Sequence, residues 1–164
     1  MKYYGKMSLA SFLKISLDIM IIIGIAIYFI LSKGMLSGKE VNMAWFRYSI
    51  TYILFSIGGI SVILILFQLR KVVISLINVT PFIIDNVLSL KRISLLCFII
   101  SICYALNFVI NGQYKNFSIA YIDSSGIHTD IEFLIFFFAG WFILILSKVF
   151  KQAVEAKEEN EFTI

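Results

Sequence analysis

Residues 48–69, YSITYILFSIGGISVILILFQL, lie between Arg47 and Arg70 and carry no charged side chain. Coiled as a helix, these 22 residues run about 33 Å at about 1.5 Å per residue, matching a bilayer hydrocarbon core of about 30 Å. A second charge-free run separates Arg92 from Lys115. Two further apolar stretches, 15–31 and 133–150, have spanning length, and hydrophobic residues make up 60% of the chain. A soluble domain of 164 residues could not bury that much hydrocarbon. Backbone groups in lipid must be satisfied within their own segment, so all four stretches are expected to be helices. The fold class that follows is an all-α membrane protein, a single integral domain over 1–164 with spans at about 15–31, 48–69, 93–110 and 133–150.

Basic residues set the expected orientation. Of 14 lysines and arginines, only Lys33, Lys39, Arg47 and Lys115 fall on one side, and the other ten fall on the opposite side. The richer side is expected to be cytoplasmic, with both termini on it. Trp45, Phe46, Tyr48, Tyr52, Tyr114, Phe117 and Tyr121 cluster where the outer headgroup zone should lie. Trp141 instead falls within span four and is expected to pack beside Gly140. The run at 15–31 follows Lys2 and Lys6, yet it is longer than a signal core and lacks a small-x-small cleavage site, so an uncleaved first span is expected. High isoleucine and low alanine suit an AT-rich bacterial genome, and the bacterial cytoplasmic membrane is the expected location.

The segment 72–90 imitates a fifth span. Crossing would put Arg70 and Lys71 on one face and Lys91 and Arg92 on the other, and would bury Asp85 at a cost of about 2.5–3.5 kcal/mol. The expectation is a cytoplasmic interfacial helical loop of two short helices, lying on the inner leaflet or dipping in and returning. Thr80 suits a helix cap and Pro81 the first helical position. On the other side of the membrane, Asp123, Ser124, Ser125 and Gly126 read as a turn within a short hairpin.

Several classes of chemistry are missing from the sequence. Cys97 and Cys103 match neither a redox nor a zinc spacing, and the sole histidine, His128, lies far from both. With no nucleophile–base pair and no phosphate-cradling glycine loop, neither enzymatic activity nor a cofactor or metal is expected. The net charge of +4 comes from residues at span ends, so direct nucleic-acid binding is not expected either. Asp18 is the acidic residue embedded in a span, either a local partner of Lys14 or an intramembrane polar site. Asn107, with Tyr104, offers hydrogen bonds between helices. Small residues such as Gly24, Gly58, Gly59, Ser101, Ala105 and Gly140 mark close helix contacts, and the Ser101/Ala105 spacing leaves a homo-oligomer open.

The C-terminal tail, 151–164, is expected to prolong span four as a cytoplasmic helix. It carries Glu155, Glu158, Glu159 and Glu161 against Lys157, which keeps it off an anionic leaflet. Phe162 and Ile164 close it, as either a frayed end or a docking peptide. Candidate partner-binding residues are therefore Phe82, Asp85, Asn86, Glu158, Glu159, Phe162 and Ile164.

Two patches carry a resemblance. Residues 80–87, TPFIIDNV, running on to LKRI at 90–93, resemble the central signature of the bacterial membrane proteins grouped as domain of unknown function 2975. The ending, VFKQA at 149–153 and EENEFTI at 158–164, is similar to that family's closing segment. Family members more often carry glutamate in place of Asp85, and aspartate-leucine in place of Glu161 and Phe162. The resemblance implies a four-span layout and no known biochemistry. It also implies a partner, because relatives commonly sit beside a small helix-turn-helix regulator. Two functions are thus expected to compete: a non-enzymatic membrane partner of such a regulator, or a small transporter or immunity-type protein using Asp18.

Overall fold

The computed structural model describes residues 5, 8–37, 45–113, 121–123, 126–128 and 130–161. Four helices carry the architecture: α1 (Leu9–Ser37), α2 (Trp45–Ile77), α3 (Ile84–Ile110) and α4 (Glu132–Glu161). All four are long and apolar enough to cross a membrane. Between α3 and α4 lies the expected hairpin, β1 (Tyr121–Asp123) paired antiparallel with β2 (Gly126–His128), Tyr121 opposite His128.

The helices pack in sequence order: α1 on α2, α2 on α3, α3 on α4. Among the described residues the backbone of α1 comes close to α2 alone and not to α3 or α4, so the helices form an open row rather than a closed bundle. Contacts fix each neighbouring pair as antiparallel. Along the first seam Arg70 meets Asp18, Gly24 faces Ile63 and Leu66, Gly59 receives Tyr28, and Ser32 shares a 2.8 Å hydrogen bond with Tyr52. One end of the row therefore holds the start of α1, the α2–α3 turn and the end of α4. We refer to it as the turn end, and to the opposite one as the far end.

Helix α3 lies in the middle and is the most buried of the four. Asn86, Ile93 and Ile100, seven residues apart, are at most 2% exposed. The face beside them makes a hydroxyl ladder with α4. Ser147 donates to the Val87 carbonyl (3.0 Å), Ser94 to that of Gly140 (2.8 Å) and Ser101 to that of Phe133 (2.8 Å). Both sets of positions recur every seven residues, two helical turns, so one face of each helix stays against the other. Gly140 permits the close approach, because a Cβ there would lie 3.0 Å from the Phe98 ring. Trp141 packs edge-on against that same ring at 5.7 Å, so the expected neighbour of Trp141 is present.

The region 72–90 corrects the expectation. It does not form two short helices of its own: 72–77 completes α2, and 84–90 begins α3. Nothing in 70–77 breaks a helix, and the buried Val73 packs with Ala10 and Leu17 of α1. The break comes later and is tight. Val79 takes φ 60°, while its N–H bonds to the Leu76 carbonyl (3.2 Å) and that of Thr80 to the Ser75 carbonyl (2.9 Å). This is a Schellman ending with valine where glycine is usual. Nor do Thr80 and Pro81 start the next helix: its cap is Ile83, which offers no side-chain cap bond.

Candidate functional site

Two cavities and one ion cluster stand out as candidate sites among the described residues. The cluster is at the turn end. Asp18, on α1, takes a hydrogen bond from the Arg70 guanidinium of α2 and pairs with Lys14 at 3.3 Å. Lys14 was foreseeable from its i,i+4 position, whereas Arg70 was not, because it is 52 residues away. With both cations on one carboxylate, Asp18 clamps the α1–α2 pair.

The first cavity, about 310 Å³, lies toward the far end, mainly between α2 and α3, with Met35 of α1 and Phe136 of α4 also lining it. Its floor is Gly58, Val62 and Ile100, with Tyr104 and Phe136 as aromatic wall, and Thr51 and Asn107 as polar rim. A Cβ on Gly58 would meet nothing within 4 Å, so this glycine opens the space, while its neighbour Gly59 is covered by Tyr28. Asn111 ties the rim together, donating to Asn107 Oδ1 at 2.8 Å and more weakly to Thr51 at 3.4 Å. Its own Oδ1 is buried with no partner among the described residues, as is the Tyr48 hydroxyl. An apolar pocket with a few polar groups at one edge suits an amphiphilic ligand.

The second cavity, about 420 Å³, lies at the turn end and is lined by Lys71, Asp85, Asn86 and Arg92 among others. Asn86 requires a correction. It is 2% exposed, and its amide donates to Ser75 Oγ at 2.5 Å and to the Pro81 carbonyl at 2.7 Å. It staples the α2–α3 turn shut and offers no free donor to a partner. Phe82 is 45% exposed and packs its ring on Phe150 of α4 at 5.8 Å, joining the turn to the base of the tail. Asp85 stands exposed in the first turn of α3.

Glu158 and Glu159 are exposed on α4, which runs without a break from span to tail. They stand about 12 Å beyond Phe150 along the axis at about 1.5 Å per residue, so turn and tail residues do not form one patch. Phe162 and Ile164 lie outside the described residues. Asp18 and Asn107 are at opposite ends of the row and share no cavity.

The geometry defines an integral, multi-pass membrane protein of four serially packed helices. The sequence model of a family described as "Protein of unknown function (DUF2975)" matches residues 19–164, and the chain belongs to that family. No curated protein and no solved structure matches it.

Proposed function

We propose that this is a non-enzymatic membrane protein with its turn end and both termini in the cytoplasm. There its α4 tail engages a small DNA-binding regulator, the partner that the family resemblance implies. The observation that carries this reading is the continuity of α4. The same rigid rod that is laddered to α3 through Ser147, Ser94 and Ser101 ends in the exposed carboxylates Glu155, Glu158 and Glu159. Any change in how α3 and α4 pack must therefore move the tail. The far-end cavity supplies the input, since an amphiphile seated against Gly58, Tyr104 and Asn107 would bear on α3 directly. The transport alternative needs Asp18 and Asn107 on one path, and their separation weighs against it.

The test is a pull-down of the full-length protein from its native host with and without residues 152–164. The deletion lies beyond the serine ladder, so the packing of α3 on α4 should survive it. Loss of a co-purifying DNA-binding protein on truncation is the expected result. An undiminished yield of that protein, or no such protein with the intact chain, would refute the reading.

A further inference from the structure

The groove at the α2–α3 turn brings together charges that the fold itself does not use. Lys71 at the end of α2 and Arg92 near the start of α3 both line it, with Asp85 and the buried Ser89. Among the described residues Lys71, Arg92 and Asp85 make no ion pair, in contrast to Arg70 one position away. Ser89 is 3% exposed, and its hydroxyl makes no hydrogen bond among the described residues. Its Oγ is not among the sealed, unpartnered side-chain atoms of the described residues, so it opens on the groove. Helix α3 starts at this groove with no side-chain cap, so its positive end adds to the field.

Position along the helices sets the depth. The charge-free run of α2 ends at Leu69 and that of α3 begins at Ile93. Lys71 and Arg92 therefore stand one to two residues outside the hydrocarbon, at headgroup level. Basic pockets between spanning helices at that level are where lipid phosphates bind.

We propose that this groove holds the headgroup of an anionic glycerophospholipid. Lys71 and Arg92 neutralise its phosphodiester, Ser89 donates to a phosphate oxygen, and the Asp85 carboxylate accepts from a headgroup hydroxyl. Two cations and one carboxylate leave the groove with one net positive charge, which a singly anionic lipid balances. A zwitterionic lipid could offer an ammonium group to Asp85 but would leave one cation unmatched. The site is independent of the tail and of the regulator it serves, so either proposal can fail alone.

The experiment measures phosphatidylglycerol binding to the full-length protein in non-ionic micelles by native mass spectrometry. Lys71→Gln and Arg92→Gln are each expected to weaken binding about fivefold, the contribution of one basic residue near an anionic headgroup. Arg92→Lys should recover most of the loss. Lys91→Gln, whose side chain lies outside the groove, should change affinity by less than about twofold. Ser89→Ala removes no charge and should still weaken binding, which keeps the test decisive if a charge variant fails to fold. Equal losses from Lys91→Gln and Arg92→Gln would reduce the effect to general surface attraction and overturn the site. So would equal binding of phosphatidylethanolamine, displacement of the lipid by millimolar inorganic phosphate, or full affinity in both Ser89→Ala and Arg92→Gln.

Discussion

Gly58 and Gly59 both line the far-end cavity, yet a side chain added at each would meet different surroundings, because the two point in different directions. A Cβ on Gly59 would lie 2.9 Å from the Tyr28 ring, which is itself stacked on Phe55 at 6.0 Å and has little room to retreat. A Cβ on Gly58 would enter the far-end cavity. Gly59→Ala is therefore expected to destabilise the α1–α2 pair by about 1–3 kcal/mol, the usual cost of overpacking. Gly58→Ala should be neutral or stabilise by up to about 1 kcal/mol, through reduced backbone freedom. Thermal midpoints of the two purified variants check this, and equal midpoints would contradict the assigned orientation. Sequence alone marked both glycines as contact residues. It could not tell them apart, because two adjacent small residues face directions about 100° apart on a helix at about 3.6 residues per turn.

Among the helices, the seam of α3 on α4 shows how polar groups join segments in lipid. Without a hydrophobic drive between helices, association depends on close packing and interhelical hydrogen bonds. The three hydroxyls of Ser94, Ser101 and Ser147 reach backbone carbonyls across the seam. Each such bond is worth about 0.6 kcal/mol on average in a membrane protein. Replacing all three serines by alanine should thus cost about 2 kcal/mol, measured as reduced resistance to denaturing detergent. Ser49→Ala is the matched control, since its hydroxyl only returns to the Trp45 carbonyl of its own helix. Equal losses in the two variants would show that the ladder contributes nothing across the seam. The seven-residue recurrence of Ser94 and Ser101 is visible in the sequence, but recognising it requires knowing that α3 is central. The same problem hid the extent of α2. Asp85 and Asn86 read as partner-binding residues of an interfacial loop, whereas Asn86 is consumed inside the turn by Ser75 and Pro81.

Over the whole molecule, the charge-free runs fall largely within helices long and apolar enough to cross a membrane, as exclusion of charge from hydrocarbon requires. What they could not convey is the rotation of each helix about its own axis, which decides whether the row closes and where its cavities open. The row stays open because, among the described residues, α1 packs its backbone on α2 alone, through contacts that include the Asp18 clamp and the Tyr28–Gly59 pair. That serial arrangement fixes the two ends relative to each other: Asn78 is at the turn end and Gly112 at the far end. Which end faces the cytoplasm rests on the ten-to-four division of basic residues. Single cysteines at the two positions test it. Asn78→Cys should react with a membrane-impermeant maleimide only after cells are opened, whereas Gly112→Cys should react in intact cells. Both variants are best made without Cys97 and Cys103, which are buried in α3 and expected to contribute little labelling themselves. Reversed labelling would move the tail and the lipid groove to the outer face. It would eliminate the cytoplasmic regulator while leaving the groove's chemistry intact. Labelling of both cysteines from the same side is incompatible with α3 as a span, since one crossing of α3 is all that separates them.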